Sequence, residues 1–215
     1  MVLFRLYQLE GYFNMTGYNR RRTRFRQTKN KMIIVCEGKK TEPNYFKNFK
    51  SRNTNLEVLP VTCKRKDIAN IIKFAKDKSR ELDIDGGDLI WCVFDRDENS
   101  DEDIANSCKK AGKKIKMCLS NPSFEIWFLL HYQYNESPIT NESLVQKLKN
   151  YIPDYHKSSD YYDELAPYTE EAIKNAKRLN DLHKNTHVNL YSTASNPSTQ
   201  VFKIIEEIQH FNSNT

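Results

Sequence analysis

No stretch of about 18 consecutive apolar residues occurs in the chain, so a membrane-spanning helix is not expected. Residues 1–13 hold scattered aromatics without a continuous apolar core or a small-residue cleavage site, which argues against a signal peptide, and Met15 offers a second start. Cys-x-x-Cys is also missing. The five cysteines, Cys36, Cys63, Cys92, Cys108 and Cys118, are odd in number, which argues against a zinc knuckle and a disulfide framework and for a reducing, cytoplasmic setting. Cys36, Cys92 and Cys118 stand inside apolar runs and read as small core residues. Neither a Gly-x-x-x-x-Gly-Lys-Ser/Thr loop nor a Gly-x-Gly-x-x-Gly turn is present, so ATP or NAD binding by those routes is not expected.

What is present fits one domain, with or without a sizeable insertion, since 215 residues can bury a full core. The formal charge is +6, yet acids are plentiful, so the excess of base is local. It falls on Arg20, Arg21, Arg22, Arg24, Arg26, Lys29 and Lys31, with no acid among them. Such a run is either a solvated tail or an arm that faces nucleic acid. A cluster of acids close behind it favours the second.

From Met32 to Leu119 short β-rich runs alternate with helical stretches, the pattern of a parallel sheet covered by helices. Strands are expected at 31–36, 56–62, 88–95 and 114–119. Helices are expected at 43–50 with Thr41 as N-cap, at 67–82, and at 101–111 closed by Gly112. Ser120-Asn121-Pro122-Ser123 is expected to open a helix through His131, Ser or Asn capping and Pro starting it. The same tetrapeptide returns at 195–198, which two helix starts of like chemistry explain. The organisation expected is a basic arm over 1–30, an α/β core over 31–138, a helical insertion over 139–190, and a last helix over 191–215. That helix carries an apolar stripe of Val201, Ile204, Ile205 and Ile208 and would pack back on the core.

The chemistry concentrates at two strand ends. Trp91-Cys92-Val93-Phe94 runs into Asp95-Arg96-Asp97, and in extended chain residues i and i+2 point the same way. Open α/β sheets bind ligands beyond the carboxyl ends of their strands. Alone, the pair is as readily an acidic surface loop. Met32 to Cys36 ends likewise in Glu37-Gly38, so three carboxylates meet if the two strands are neighbours, an arrangement suited to Mg²⁺ or Mn²⁺. Gly38 would let backbone and phosphate approach closely. Lys39 and Lys40, with the helix start at Thr41, are candidates for holding a phosphate. Glu125 is either a fourth metal-site acid or a partner of its helix dipole, and His131 reads as a capping or core residue.

Four motifs in order resemble the RloB family: Ile33-Ile34-Val35-Cys36-Glu37-Gly38-Lys39-Lys40-Thr41-Glu42-Pro43-Asn44-Tyr45-Phe46, Trp91 to Asp97, Ser120 to His131, and Asn196-Pro197-Ser198-Thr199. That family is similar to Toprim proteins, with a small parallel sheet between helices. The resemblance implies metal-site roles for Glu37, Asp95 and Asp97 and a prokaryotic defence setting of abortive-infection type, commonly with a partner ATPase. Neither a Tyr-nucleophile domain nor a primase zinc module is evident, which leaves metal-dependent nuclease as the simplest chemistry. The expectation is therefore a cytoplasmic Mg²⁺- or Mn²⁺-dependent nuclease acting on RNA, transfer RNA included, or DNA. Its partners would be nucleic acid, an ATPase and further copies of itself, and no membrane. The rival is a Toprim-like module that holds nucleic acid or a partner protein without turnover. An Asp-x-Asp phosphatase ranks below both, because its nucleophile usually follows the first strand.

Overall fold

The computed structural model describes residues 29–50, 55–64, 67–96 and 99–213. The arginines of the basic arm and Asp97 lie outside them. The fold is α/β, a five-stranded and mostly parallel sheet flanked by helices. Its strands are β1 (Asn30–Cys36), β2 (Leu56–Thr62), β3 (Leu89–Asp95), β4 (Lys116–Asn121) and β5 (Ser198–Thr199), in the order β2-β1-β3-β4-β5. Parallel pairs join β1 to β2, β1 to β3 and β3 to β4, while β5 runs antiparallel to β4. Cys36 lies opposite Val93, so the carboxyl ends of β1 and β3 are side by side.

Alternation along the strands sorts the core into two layers. Ile33 and Val35 of β1, with Ile90, Cys92 and Phe94 of β3, pack under α2 (Ile68–Ser79) and α3 (Asp101–Ala111). Met32, Ile34 and Cys36, with Trp91 and Val93, face the other way. That second layer holds α1 (Thr41–Phe46), α4 (Glu125–Tyr132), α5 (Asn141–Lys149), α7 (Thr169–Asn185) and α8 (Val201–Ser213), with the short α6 (Tyr162–Leu165) between α5 and α7. Ile126, Trp127, Phe128, Leu129 and Leu130 are all buried, so α4 is apolar all round and runs through the middle of this layer. Each such side chain contributes about 1.5–3 kcal/mol. The helices between 141 and 185 share this cluster through Leu144, Leu148, Leu165, Ala172 and Leu179.

Two helix starts differ from expectation. Thr41 is the first residue of α1 rather than its cap, and its hydroxyl donates instead to the Lys157 carbonyl at 3.1 Å. Ser120 and Asn121 belong to β4, and α4 begins at Glu125 with no side-chain cap. The two Ser-Asn-Pro-Ser stretches are not separate helix starts either. They meet at the sheet edge, where Ser120 pairs with Thr199 and Asn121 with Ser198. The Ser120 and Thr199 hydroxyls share a hydrogen bond of 2.8 Å. Asn196 acts as a backbone surrogate, accepting from the Ile139 N–H at 3.0 Å and donating to the Ile139 carbonyl at 2.9 Å. In α2 and α3, by contrast, Asp67 and Ser100 cap in the ordinary way, each accepting an N–H of the first turn.

Candidate functional site

Glu37 is the first residue beyond β1, and the ladder carries one step further there: its N–H donates to the Val93 carbonyl at 3.0 Å. The carboxylate then turns along β3, and its Oε2 accepts the Asp95 N–H at 3.0 Å. Sheet register thus seats Glu37 against the end of the strand that carries Asp95. Beyond that strand the chain is pinned. Arg96 N–H donates to the Ser120 carbonyl at 2.9 Å, and Asn99 Nδ2 donates to the Asp95 carbonyl at 2.9 Å. The Arg96 side chain turns to Asp101 and Thr193. Hydrogen bonds from the Thr193 hydroxyl and N–H hold the Asp101 carboxyl below its ordinary range, with Arg96 adding to the effect.

Gly38 also has a local packing role. A β-carbon there would run into the Glu42 carboxylate, so the glycine leaves room for that side chain. Glu42 Oε1 accepts the Gly38 N–H at 2.9 Å and thereby closes the loop between β1 and α1. Only 4% of Glu42 is exposed. Burial raises its carboxyl above the usual range and the charge of Glu125 adds to this, while hydrogen bonds from the backbone oppose it.

Glu125 sits at the start of α4, buried in an otherwise apolar helix, where a carboxylate needs partners. It has three. The Ser123 hydroxyl donates to Oε2 at 2.8 Å, the Tyr155 hydroxyl donates to Oε1 at 3.0 Å, and the Lys157 ammonium lies 3.3 Å from Oε1. Burial, followed by the Glu125 charge, pushes the Tyr155 phenol far above its usual range, so it stays a protonated donor.

These groups surround one cavity of about 460 Å³. Glu37, Glu42, Asp95 and Glu125 line it, and so do Lys39, Lys40 and Lys157. Lys39 and Lys40 are exposed at its mouth. The structure therefore brings together Glu37, Asp95, Glu125, Lys39 and Lys40, all expected from the sequence. It adds Glu42, Lys157 and Tyr155, which were not. Glu42 had a local signal, an acid five residues after Glu37 at a helix start; Lys157 and Tyr155 come from a distant polar stretch and had none. His131 stands apart from the cavity. Its Nδ1 lies 2.9 Å from the Trp127 carbonyl, its ring packs edge-on to Trp127, and burial lowers its pKa to about 4.

Asp97 and Arg20, Arg21, Arg22, Arg24 and Arg26 lie outside the described residues. Among the described residues, no three His, Cys, Asp or Glu side chains are grouped to hold a metal ion. The cavity's acidic donors are all carboxylate oxygens and neither His nor Cys lines it, a donor chemistry that fits Mg²⁺ or Mn²⁺ rather than Zn²⁺. No helix among the described residues is long and apolar enough to cross a membrane.

A family model described as RloB-like protein matches residues 32–208, from β1 into α8 and across every element that lines the cavity. The chain belongs to the RloB-like family. Both cavity-forming strand ends of this RloB-like chain and both Asn-Pro-Ser stretches fall inside the match. No curated protein and no solved structure matches the chain.

Proposed function

We propose that this RloB-like chain is a metal-dependent nuclease of Toprim type that hydrolyses phosphodiesters in RNA or DNA, as an effector of prokaryotic anti-phage defence. The observation that carries the reading is the meeting of Glu37 with the end of β3, where Asp95 opens into an acid-lined cavity with lysines at its mouth. Asp95 and Asp97 would hold the ion, with Glu37 either a third ligand or the general acid/base. Bound there, Mg²⁺ or Mn²⁺ supplies positive charge against the phosphate and acidifies water near neutral pH. As a general base Glu37, oriented by the Asp95 N–H, would take a proton from the attacking water. Lys39 and Lys40 hold the neighbouring phosphate, and the arginines ahead of β1 track the backbone with a steep salt dependence. Glu125 already receives two hydroxyls and an ammonium, so it is assigned to the wall of the cavity rather than to the ion.

The defence role and a partner ATPase come from the family resemblance, so the test includes the product of a neighbouring ATPase gene. Purified protein, alone and with that partner, is incubated with total transfer RNA and with plasmid in Mg²⁺ or Mn²⁺. Cleavage is expected, abolished by EDTA and reduced on the order of 10²–10⁴-fold by Glu37→Gln or Asp95→Asn. If the wild type cuts neither substrate under any of these conditions, the nuclease reading fails and a binding module without turnover replaces it.

A further inference from the structure

Beside Lys39 and Lys40, a third cation lines the cavity. Lys157 lies in the connection between α5 and α6, far in sequence from both strand ends, and its ammonium reaches the cavity beside Glu125. Its backbone is firmly placed. The Thr41 hydroxyl donates to the Lys157 carbonyl at 3.1 Å and Asn44 Nδ2 donates to the Ser158 carbonyl at 2.8 Å. Two residues on, Asn48 Nδ2 donates to both oxygens of Asp160 at 3.0 Å, and Lys47 pairs with the same carboxylate at 3.4 Å. Inside the connection the Tyr161 hydroxyl accepts the His156 N–H at 2.7 Å and donates to the Asp154 carbonyl at 3.2 Å. Helix α1, which begins three residues after Gly38, and the 3-10 turn behind it (Lys47–Phe49) therefore fix the stretch that presents Lys157.

The side chain is placed differently from its backbone. The Lys157 side chain is 63% exposed while the Glu125 side chain is 2% exposed, so the pair joins a solvated ammonium to a buried carboxylate. An ion pair with one partner so exposed is weak. Glu125 does not depend on it, because the Ser123 and Tyr155 hydroxyls remain on its two oxygens when the lysine moves. An entering phosphate meets a wall of four carboxylates and needs a cation from that side.

We infer that Lys157 is a substrate-binding residue that exchanges Glu125 for a non-bridging oxygen of a nucleic-acid phosphodiester, reaching it from the α5–α6 connection while Lys39 and Lys40 act from the β1–α1 loop. This rests on the phosphodiester reading of the cavity but not on turnover. The test is the affinity of a short single-stranded RNA and of the DNA of the same sequence, followed by fluorescence anisotropy over a salt series, with Ca²⁺ in place of Mg²⁺. Lys157→Met is expected to weaken binding roughly tenfold or more and to lower the slope of log affinity against log salt by about 0.7 for each single-stranded nucleic acid it holds. Lys157→Arg is expected to restore both, and all three proteins to melt together, since the side chain is largely in water. Wild-type affinity and slope in Lys157→Met, or a Lys157→Arg as weak as Met, overturns the assignment, as does a wild type that binds neither oligonucleotide. A wild type that binds but does not cut in Mg²⁺ removes the nuclease reading and leaves the Lys157 contact standing.

Discussion

The two halves of the cavity hold the same kind of group in opposite circumstances. On the strand side, Glu37 and Asp95 are half-buried, placed by parallel ladder bonds and open to the cavity. On the helix side, Glu42 and Glu125 are 4% and 1% exposed, and each carboxylate is met by donors built into the fold. The helix-side carboxylates are closed off with their donors, whereas Asp95 and Glu37, whose Oε2 accepts the Asp95 N–H, are half-buried where the cavity opens. On the function proposed above, the first pair would carry the chemistry and the second would support it.

The largest expected contrast is in rate against stability. Asp95→Asn should reduce cleavage on the order of 10²–10⁴-fold with little change in melting temperature, whereas the helix-side changes should lower the melting temperature first. Glu125→Leu strands the Tyr155 and Ser123 hydroxyls in an apolar layer, an expected cost of about 1–3 kcal/mol by urea titration. A loss of cleavage in that variant at full stability would move Glu125 into the chemistry. Gly38→Ala forces a methyl against the buried Glu42 carboxylate and should cost about 1–3 kcal/mol. Pairing it with Glu42→Ala should recover part of that loss, because the obstruction is then gone.

The smallest effect is a pH dependence. Glu42 has a folded pKa above its unfolded one, so as pH rises the unfolded chain loses this proton first and stability falls. Glu42→Gln keeps an acceptor for the Gly38 N–H without the charge. It should melt above the wild type at pH 8, with the gap closing towards about pH 4, where both states hold the proton. A gap that widens on acidification would reverse the sign and mean that the Lys157 charge and the backbone hydrogen bonds outweigh burial.

The strand half was legible because its signals are local. An apolar run ending in acids needs only a neighbouring run of the same kind, and the register of Cys36 with Val93 supplies the adjacency. Strands β1 to β3 fall within a residue of their expected bounds for the same reason. The helix half was only partly legible. Glu125 was visible as an acid in an apolar helix, but Tyr155 and Lys157 meet it across about thirty residues of polar chain with no periodic signal. The room Gly38 leaves for Glu42 was not read, because a glycine beside lysines resembles a phosphate loop and the side chain it accommodates lies four residues on. The repeated Ser-Asn-Pro-Ser looked like two helix starts because Ser, Asn and Pro favour them; a β5 of two residues is too short to leave a pattern.

The claim that the strand-end carboxylates, not the helix ones, hold the ion is tested most directly by Mn²⁺ binding, followed by electron paramagnetic resonance without substrate. The account predicts that the wild type and Glu125→Gln bind Mn²⁺ alike and that Asp95→Asn loses binding. Undiminished Mn²⁺ binding by Asp95→Asn, or its loss in Glu125→Gln, would contradict it.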